Sequence, residues 1–325
     1  MAVVVFGGAG FVGLNIVEAL LKRGEDAIVF DATPLPEAAA TAFASLKGSL
    51  RVVTGDVRVP ADVKAAFADG ATGVVYGAAI TAGFERDRDE PARIFDVNLM
   101  GLLNALEAAR SAGVRRTINL SSAGAFGAAA FAHDILTEET PTDPQSLYSI
   151  TKFASERMTA RMAEVWQMDA ISVRLSGVFG RWERKTSVRD TPSAPFQVMA
   201  AALAGRPVRI PRRDWRDWVY APDVAAAVLA LLDTPQLSHG LYHVSTGERW
   251  AVADWAEALG RHMPVDCRIA RSDEPANIDF YGDADRGMLD VTRLFTDTAY
   301  RPAFGLESSA ADYAAWAAAH GGRTA

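Results

Sequence analysis

Directly after the apolar, β-branched run at residues 3–6, the chain reads Gly7-Gly8-Ala9-Gly10-Phe11-Val12-Gly13. From Phe11 onward the apolar residues recur at helical spacing, and Gly24 ends the segment. A short buried strand, a turn crowded with glycine and a helix must therefore follow one another within about 20 residues. A strand that feeds straight into a helix cannot pair with its sequence neighbour as a hairpin. Its unbroken apolar, β-branched run reads as a buried parallel strand.

The same rhythm continues. DAIVFDA, LRVVTGDV, TGVVYGAAI and RRTINLSS read as further strands, and PADVKAAFADG and ARIFDVNLMGLLNALEAARSAG as helices between them. A helix around LYSITKFASE then leads to the strand DAISVRLSGVFG. The alternation predicts a doubly wound parallel (Rossmann) sheet with a smaller mixed α/β C-terminal part. The boundary falls near residue 176, with residues 212–240 returning to the first part. Beyond Gly180, RWERKTSVRDTPSAP is a charged loop without period, followed by helices and one strand, LYHVST.

Composition excludes several classes. The 33 basic and 40 acidic side chains leave a net charge of −7, the wrong sign for a nucleic-acid binder. Cys267 is the only cysteine, so no disulfide framework or cysteine zinc site can form. The five histidines, His133, His239, His243, His262 and His320, are scattered, and no metal is expected. No apolar run reaches the roughly 18 residues of a membrane span, and the N-terminus lacks the basic flank of a signal peptide. The expectation is a soluble cytoplasmic protein.

The spacing Gly8-x-Gly10-x-x-Gly13 between a strand and a helix is the fingerprint of a dinucleotide site. Glycines let the backbone approach a pyrophosphate, and the helix N-terminus offers N–H groups and positive partial charge. Asp31 ends the second strand, where a carboxylate accepts the ribose hydroxyls of NAD and repels the 2′-phosphate of NADP. No Arg or Lys follows closely enough in sequence to neutralise that phosphate. Asp56, after the third strand, is placed either to accept from the adenine amino group or to serve as a turn residue.

With a nicotinamide in view, Tyr148 and Lys152 gain a chemical reading. They stand one helical turn apart on one face. Hydride transfer at a carbinol needs a group that moves the hydroxyl proton, and a phenol beside an ammonium has its pKa pulled toward the working range. Ser121 and Ser122 close the fifth strand, at the sheet edge where open α/β folds bind ligands.

GGAGFVG, Asp31, GDV, GAAI, DVNLMG, NLSSAGAFG, YSITK and RDWVYAPDVA occur in this order over most of the chain. Together they resemble the extended short-chain dehydrogenase/reductases of the NAD-dependent epimerase/dehydratase type. The resemblance implies NAD binding by residues 1–176 and substrate binding mainly by residues 177–325. It implies Tyr148 as general acid/base, Lys152 on the nicotinamide ribose, Ser122 orienting the substrate and Asn98 supporting the site. Cofactor contacts are implied for Gly7, Gly10, Phe11, Val12, Gly13, Asp31, Asp56, Val57, Ala78, Ala79, Ile80, Asn98, Ser121, Tyr148, Lys152 and Val178. Substrate contacts are implied for Ser122, Tyr148, Phe84, Arg184, Arg216 and Arg271. A homodimer built on residues 95–112 and 147–166 is implied as well.

Two departures from the family pattern bear on the reaction. Dehydratases carry Thr-Asp-Glu where this chain has Ser122-Ala123-Gly124, so elimination of water is not expected. Nucleotide-sugar epimerases carry an Asn in the segment matching RLSGVFG, and this chain has Gly177 there. The arginines suit either a diphosphate or a carboxylate, and the basic loop at residues 181–189 favours an anionic substrate. The expected activity is hydride transfer at a carbinol of a sugar, sugar acid or polyol. A UDP-sugar 4-epimerase that retains its NAD is the alternative, and a non-catalytic NAD-sensing protein the remote one.

Overall fold

The computed structural model describes residues 2–68, 70–280 and 282–320. Strand β1 (Ala2–Phe6) leads into helix α1 (Phe11–Lys22), followed by β2 (Asp26–Asp31), α2 (Glu37–Phe43), β3 (Leu50–Thr54), α3 (Pro60–Ala65) and β4 (Gly73–Tyr76). Helices α4 (Phe84–Asp89), α5 (Pro91–Phe95) and α6 (Gly101–Ser111) precede β5 (Arg116–Ser122). After the short β6 (Ile135–Leu136) come α7 (Leu147–Trp166), β7 (Ala170–Leu175) and β8 (Gly177–Phe179). The later elements are α8 (Ala194–Leu203), β9 (Val208–Ile210), β10 (Trp218–Tyr220), α9 (Ala221–Asp233), β11 (Leu241–Val244), α10 (Val252–Leu259), β12 (Cys267–Ile269), β13 (Met288–Leu289), α11 (Thr292–Asp297) and α12 (Leu306–Ala319).

Seven strands form one parallel sheet in the order β11-β7-β5-β4-β1-β2-β3. Its middle strands are buried on both faces, which is why residues 3–6 and 73–76 read as unbroken apolar runs. The edge strand β3 is partly exposed and carries Arg51 and Thr54. Helices α1 and α9 pack on one face with Leu14, Val17, Leu21, Val228 and Leu232. Helices α3, α6 and α7 cover the other face, through Val63, Leu102, Leu106 and Met158. Strand order reverses between β1 and β4, and a crevice opens there at the carboxyl ends of the strands.

The C-terminal half gives more to this sheet than its sequence suggests. The expected return at residues 212–240 includes α9, yet β11 also joins the main sheet beside β7. A strand so far along the chain has no local signal for its partner. Hydrogen bonding to an open sheet edge decides it. The remaining C-terminal elements form pairs of short parallel strands, β8 with β10 and β9 with β12, together with α8, α10 and α12. The long helix expected at residues 92–113 is interrupted by a π-helical turn, Asp96–Met100. No helix among the described residues is long and apolar enough to cross a membrane.

Candidate active site

The glycine turn is built as a cofactor cradle. Gly7 takes φ +74° and its N–H donates to the Phe30 carbonyl at 2.9 Å. A side chain there would strike the Ala78 backbone nitrogen at 2.8 Å, so the turn lies against the loop after β4. At Gly13 a Cβ would run into the Gly7 carbonyl oxygen, so α1 can start only from glycine. Asp31 ends β2 beside the turn. Its Oδ2 accepts from Ala9 N–H at 3.1 Å, and its Oδ1 accepts from the Thr33 backbone and hydroxyl at 3.0 and 2.9 Å. Gly7, Gly10, Phe11, Val12 and Gly13 line the cleft, as do Ala79 and Val178. A close-approach glycine turn, a helix N-terminus and a strand-end carboxylate fit a dinucleotide.

Other expected cofactor residues sit further back. Asp56 is held below the usual carboxylate range by Arg58, whose Nε and Nη2 both donate to it. Val57 is buried, and its side chain packs against Gly101 of α6. Neither lines the cleft. Ile80 is also buried, and Asn98 brackets it by accepting from its N–H at 2.8 Å and donating to its carbonyl at 3.1 Å. The Asn98 amide also donates to Thr151 Oγ1 at 3.0 Å, so the π turn carrying it ties the loop of Ala78 and Ala79 to α7. Asn98 therefore positions the site from behind.

Helix α7 starts where Ser146 caps it by accepting from Ser149 N–H. That start brings Tyr148 and Lys152 to the ends of β4 and β5. The Tyr148 phenol, Ser122 and Thr81 line one cleft. Burial pushes the phenol pKa up; Ser122, the positive charge of Arg189 and Thr81 pull it back. Lys152 donates to the Leu120 carbonyl at 2.6 Å, and its ammonium stands 5.8 Å from the centre of the Tyr148 ring. Burial lowers Lys152 to about 8 against the opposing charge of Glu156. Ser121 also lines the cleft, and its hydroxyl donates to Glu156 at 2.5 Å, beside the buried Glu156–Arg174 ion pair. Thr81 had no motif to mark it, because its place depends on how the loop after β4 closes.

The expected substrate residues divide. Arg216 lines the cleft with its guanidinium over the Trp218 ring, 5.2 Å from the centroid. Burial first, then the charge of Arg286, lowers its pKa to about 10. Arg271 is exposed on the surface and does not line the cleft; the guanidinium that accompanies Arg216 there is that of Arg286. Arg286 donates to Ser176 Oγ at 2.8 Å and to Asp217 at 3.3 Å. Phe84 is 79% exposed and also lies off the cleft lining. Sequence alone could not separate Arg271 from Arg286, since both fall in loops without periodicity.

Arg184 lines the cleft. It reaches back to the glycine turn, donates to the Ala9 carbonyl at 2.7 Å and feels the charge of Asp31. The cation that sequence spacing did not supply beside Asp31 therefore arrives from the loop after β8. Its Nη1 is buried without a partner. Arg184→Ala is expected to weaken NAD by about tenfold, the scale of one charge-assisted hydrogen bond, and to leave substrate KM alone. A fluorescence titration with NADH measures this, and a changed KM with unchanged NADH affinity would return Arg184 to the substrate.

Residues 3–245 match the model of the NAD dependent epimerase/dehydratase family. The chain belongs to this family. It is 27% identical over 312 residues to a UDP-glucose 4-epimerase of Mycolicibacterium smegmatis, covering 93% of this chain and 94% of the relative. A UDP-glucuronate 4-epimerase 1 of Arabidopsis thaliana is 25% identical over 97% of this chain and 76% of its own length. The crystal structure of Thermus thermophilus UDP-glucose 4-epimerase in complex with NAD superposes with a TM-score of 0.78. It is 28% identical, covering 97% of this chain and 98% of that one. This family member is an NAD-dependent enzyme of the extended short-chain dehydrogenase/reductase type.

Proposed function

We propose that this enzyme oxidises a carbinol of a small anionic sugar derivative, such as a sugar acid, with Tyr148 as the acid/base. The observation that carries the reading is one cleft holding both halves of the chemistry. At the sheet edge stand a phenol, two hydroxyls and a buried ammonium. Along the same cleft lie Arg216, Arg286 and Trp218, whose Nε, Nε and Nε1 are buried without partners. Unpartnered buried donors are costly, and an anionic ligand relieves that cost.

NAD, when bound, supplies the hydride acceptor. Tyr148 as phenolate takes the hydroxyl proton while the carbon–oxygen double bond forms. Ser122 donates to the substrate oxygen. Its own Oγ is held by the Gly124 N–H at 3.0 Å, which fixes its rotamer. Lys152 keeps positive charge under the phenol.

A UDP-sugar 4-epimerase with retained NAD is the second reading, favoured by what the named relatives act on. Against it stands the space at Gly177. A Cβ there would meet the Trp218 ring at 2.7 Å, so the indole fills the place where an Asn side chain would stand. The purified enzyme should be given NAD with D-glucuronate, D-galacturonate and D-gluconate, and separately UDP-glucose and UDP-glucuronate. NADH accumulating with a free sugar acid is expected. Interconversion of UDP-sugars without NADH release would establish the second reading instead. A homodimer is proposed on residues 95–112 and 147–166, where Phe95, Met100 and Val165 are exposed. Light scattering at micromolar concentration that gives a monomer would remove it.

A further inference from the structure

Helix α7 meets the sheet through a polar face. Its buried residues are Thr151, Lys152, Ser155, Glu156 and Thr159. A helix that covers a sheet ordinarily buries an apolar stripe, as the neighbouring α6 does with Leu102, Ala105 and Leu106. The polar face of α7 is matched to β5. Lys152 Nζ donates to the Leu120 carbonyl at 2.6 Å, and the Ser121 hydroxyl donates to Glu156 Oε1 at 2.5 Å. One position earlier on the strand, Asn119 Nδ2 donates to Ser155 Oγ at 3.0 Å. Three consecutive strand residues, ending just before Ser122, are thus tied to the helix that carries Tyr148. Glu156 is itself held from the next strand. Arg174, opposite Ser121 in the β5–β7 register, donates from Nε to Oε1 at 2.9 Å and from Nη2 to Oε2 at 2.7 Å. Both partners of this ion pair are buried. The arginine also lies over Phe126, in the turn after Ser122, with its guanidinium carbon 4.3 Å from the ring centroid.

A buried ion pair is a weak source of stability, since well-packed apolar residues in its place are often as stable or more so. What this pair fixes is the place of α7 on the strand end. Ser122 and Tyr148 converge over Gly124, where an added Cβ would lie 3.3 Å from Ser122 Oγ and 3.5 Å from Tyr148 Cε1. We propose that Glu156, aimed by Arg174, is a positioning residue of the reaction centre: by accepting from Ser121 it locks α7 to the end of β5 and so sets the Tyr148 ring against the Ser122 hydroxyl. This rests on the reading of Tyr148 as acid/base. Ser121 lines the cleft and Glu156 does not, so the carboxylate acts through the strand rather than on a ligand. A slip of about 1 Å between reacting groups costs on the order of 10²-fold in rate, which is the scale of precision the tie supplies.

The test compares two variants that both remove the ion pair and strand no charge. Glu156→Gln/Arg174→Met keeps an acceptor for Ser121, and Glu156→Leu/Arg174→Met does not. Both should resist denaturant about as well as the parent enzyme. Turnover is measured with NAD and the sugar acids and UDP-sugars named above. The acceptor-free variant should have a kcat roughly 10–100-fold below that of the glutamine variant, with KM within about twofold. Equal kcat in the two folded variants overturns the proposal and leaves the pair as a tie that only holds the fold together; a loss confined to KM overturns it as well. If the acceptor-free variant does not fold, Ser121→Ala is set against the parent, which breaks the same bond with the ion pair intact, and is read in the same way. The acid/base reading is judged separately, since it falls if Tyr148→Phe keeps its turnover. Should the parent turn over none of these compounds, the substrate reading fails and the phenol itself decides. Tyrosinate absorbance of the NAD-loaded enzyme against pH, with the matching Tyr148→Phe protein subtracted, should then give a midpoint about one unit higher in the acceptor-free variant, because the ring has moved off a hydroxyl that favours its charged form. Equal midpoints overturn the proposal.

Discussion

Tyr148→Phe should lower turnover by roughly 10²–10⁴-fold, the contribution of a positioned acid/base. The ring, its packing and the Ser146 cap of α7 survive the change. NAD affinity should hold, because the cradle at Gly7 and Gly13 and the Asp31 carboxylate are untouched. The two effects are separable: NADH binding by fluorescence, turnover by NADH formation. The structure adds a requirement that the sequence did not state. Without cofactor the phenol is pushed up by burial, so proximity to Lys152 alone does not ready it at neutral pH. The nicotinamide charge must add to that of Lys152, and activity in the oxidative direction should rise with pH toward the phenol's pKa. A Tyr148→Phe enzyme with near-normal turnover would hand the proton to another group, such as Ser122 or Thr81, and end the mechanism.

Lys152→Met should weaken NAD by about 10–100-fold, the scale of a charge-assisted hydrogen bond. One of its three N–H donors goes to Leu120, which leaves two for the ribose. Removing the cation also moves the limb of the pH–rate profile that reports the phenol to higher pH, since a phenolate without that charge is harder to form. Methionine matches the lysine stem and is not charged, so the buried site accepts it. Stability carries a further signature. Lys152 titrates at about 8 when folded and at 10.5 when free, so between these values the unfolded chain holds the extra proton. Stability of the cofactor-free enzyme therefore rises with pH across that window, and the methionine variant loses the rise. Denaturant melts at the two ends of the window check it. Unchanged NAD affinity would mean that the ammonium serves the Leu120 carbonyl alone.

Local physics made part of this enzyme readable from its residues. Strand, glycine turn and helix are each fixed by neighbours in sequence. The Rossmann sheet, the cradle at Gly7 and Gly13, Asp31 at a strand end and the Tyr148–Lys152 turn of α7 all follow from spacing alone. Contacts made across long stretches of chain left no such trace. Arg184 and Arg189 belong to one charged loop with no period, yet one reaches the glycine turn and the other pairs with the buried Glu183. Arg286 rather than Arg271 meets Arg216 because the loop before β13 folds inward. Thr81 hydrogen-bonds to Val188 and Asp190 from more than 100 residues along the chain. β11 finds the sheet edge in the same way. Sequence determines what a residue's neighbours within a few positions can enforce; which distant side chains share a cleft is settled by packing and by the need to satisfy buried polar groups, and only the tertiary structure carries that answer.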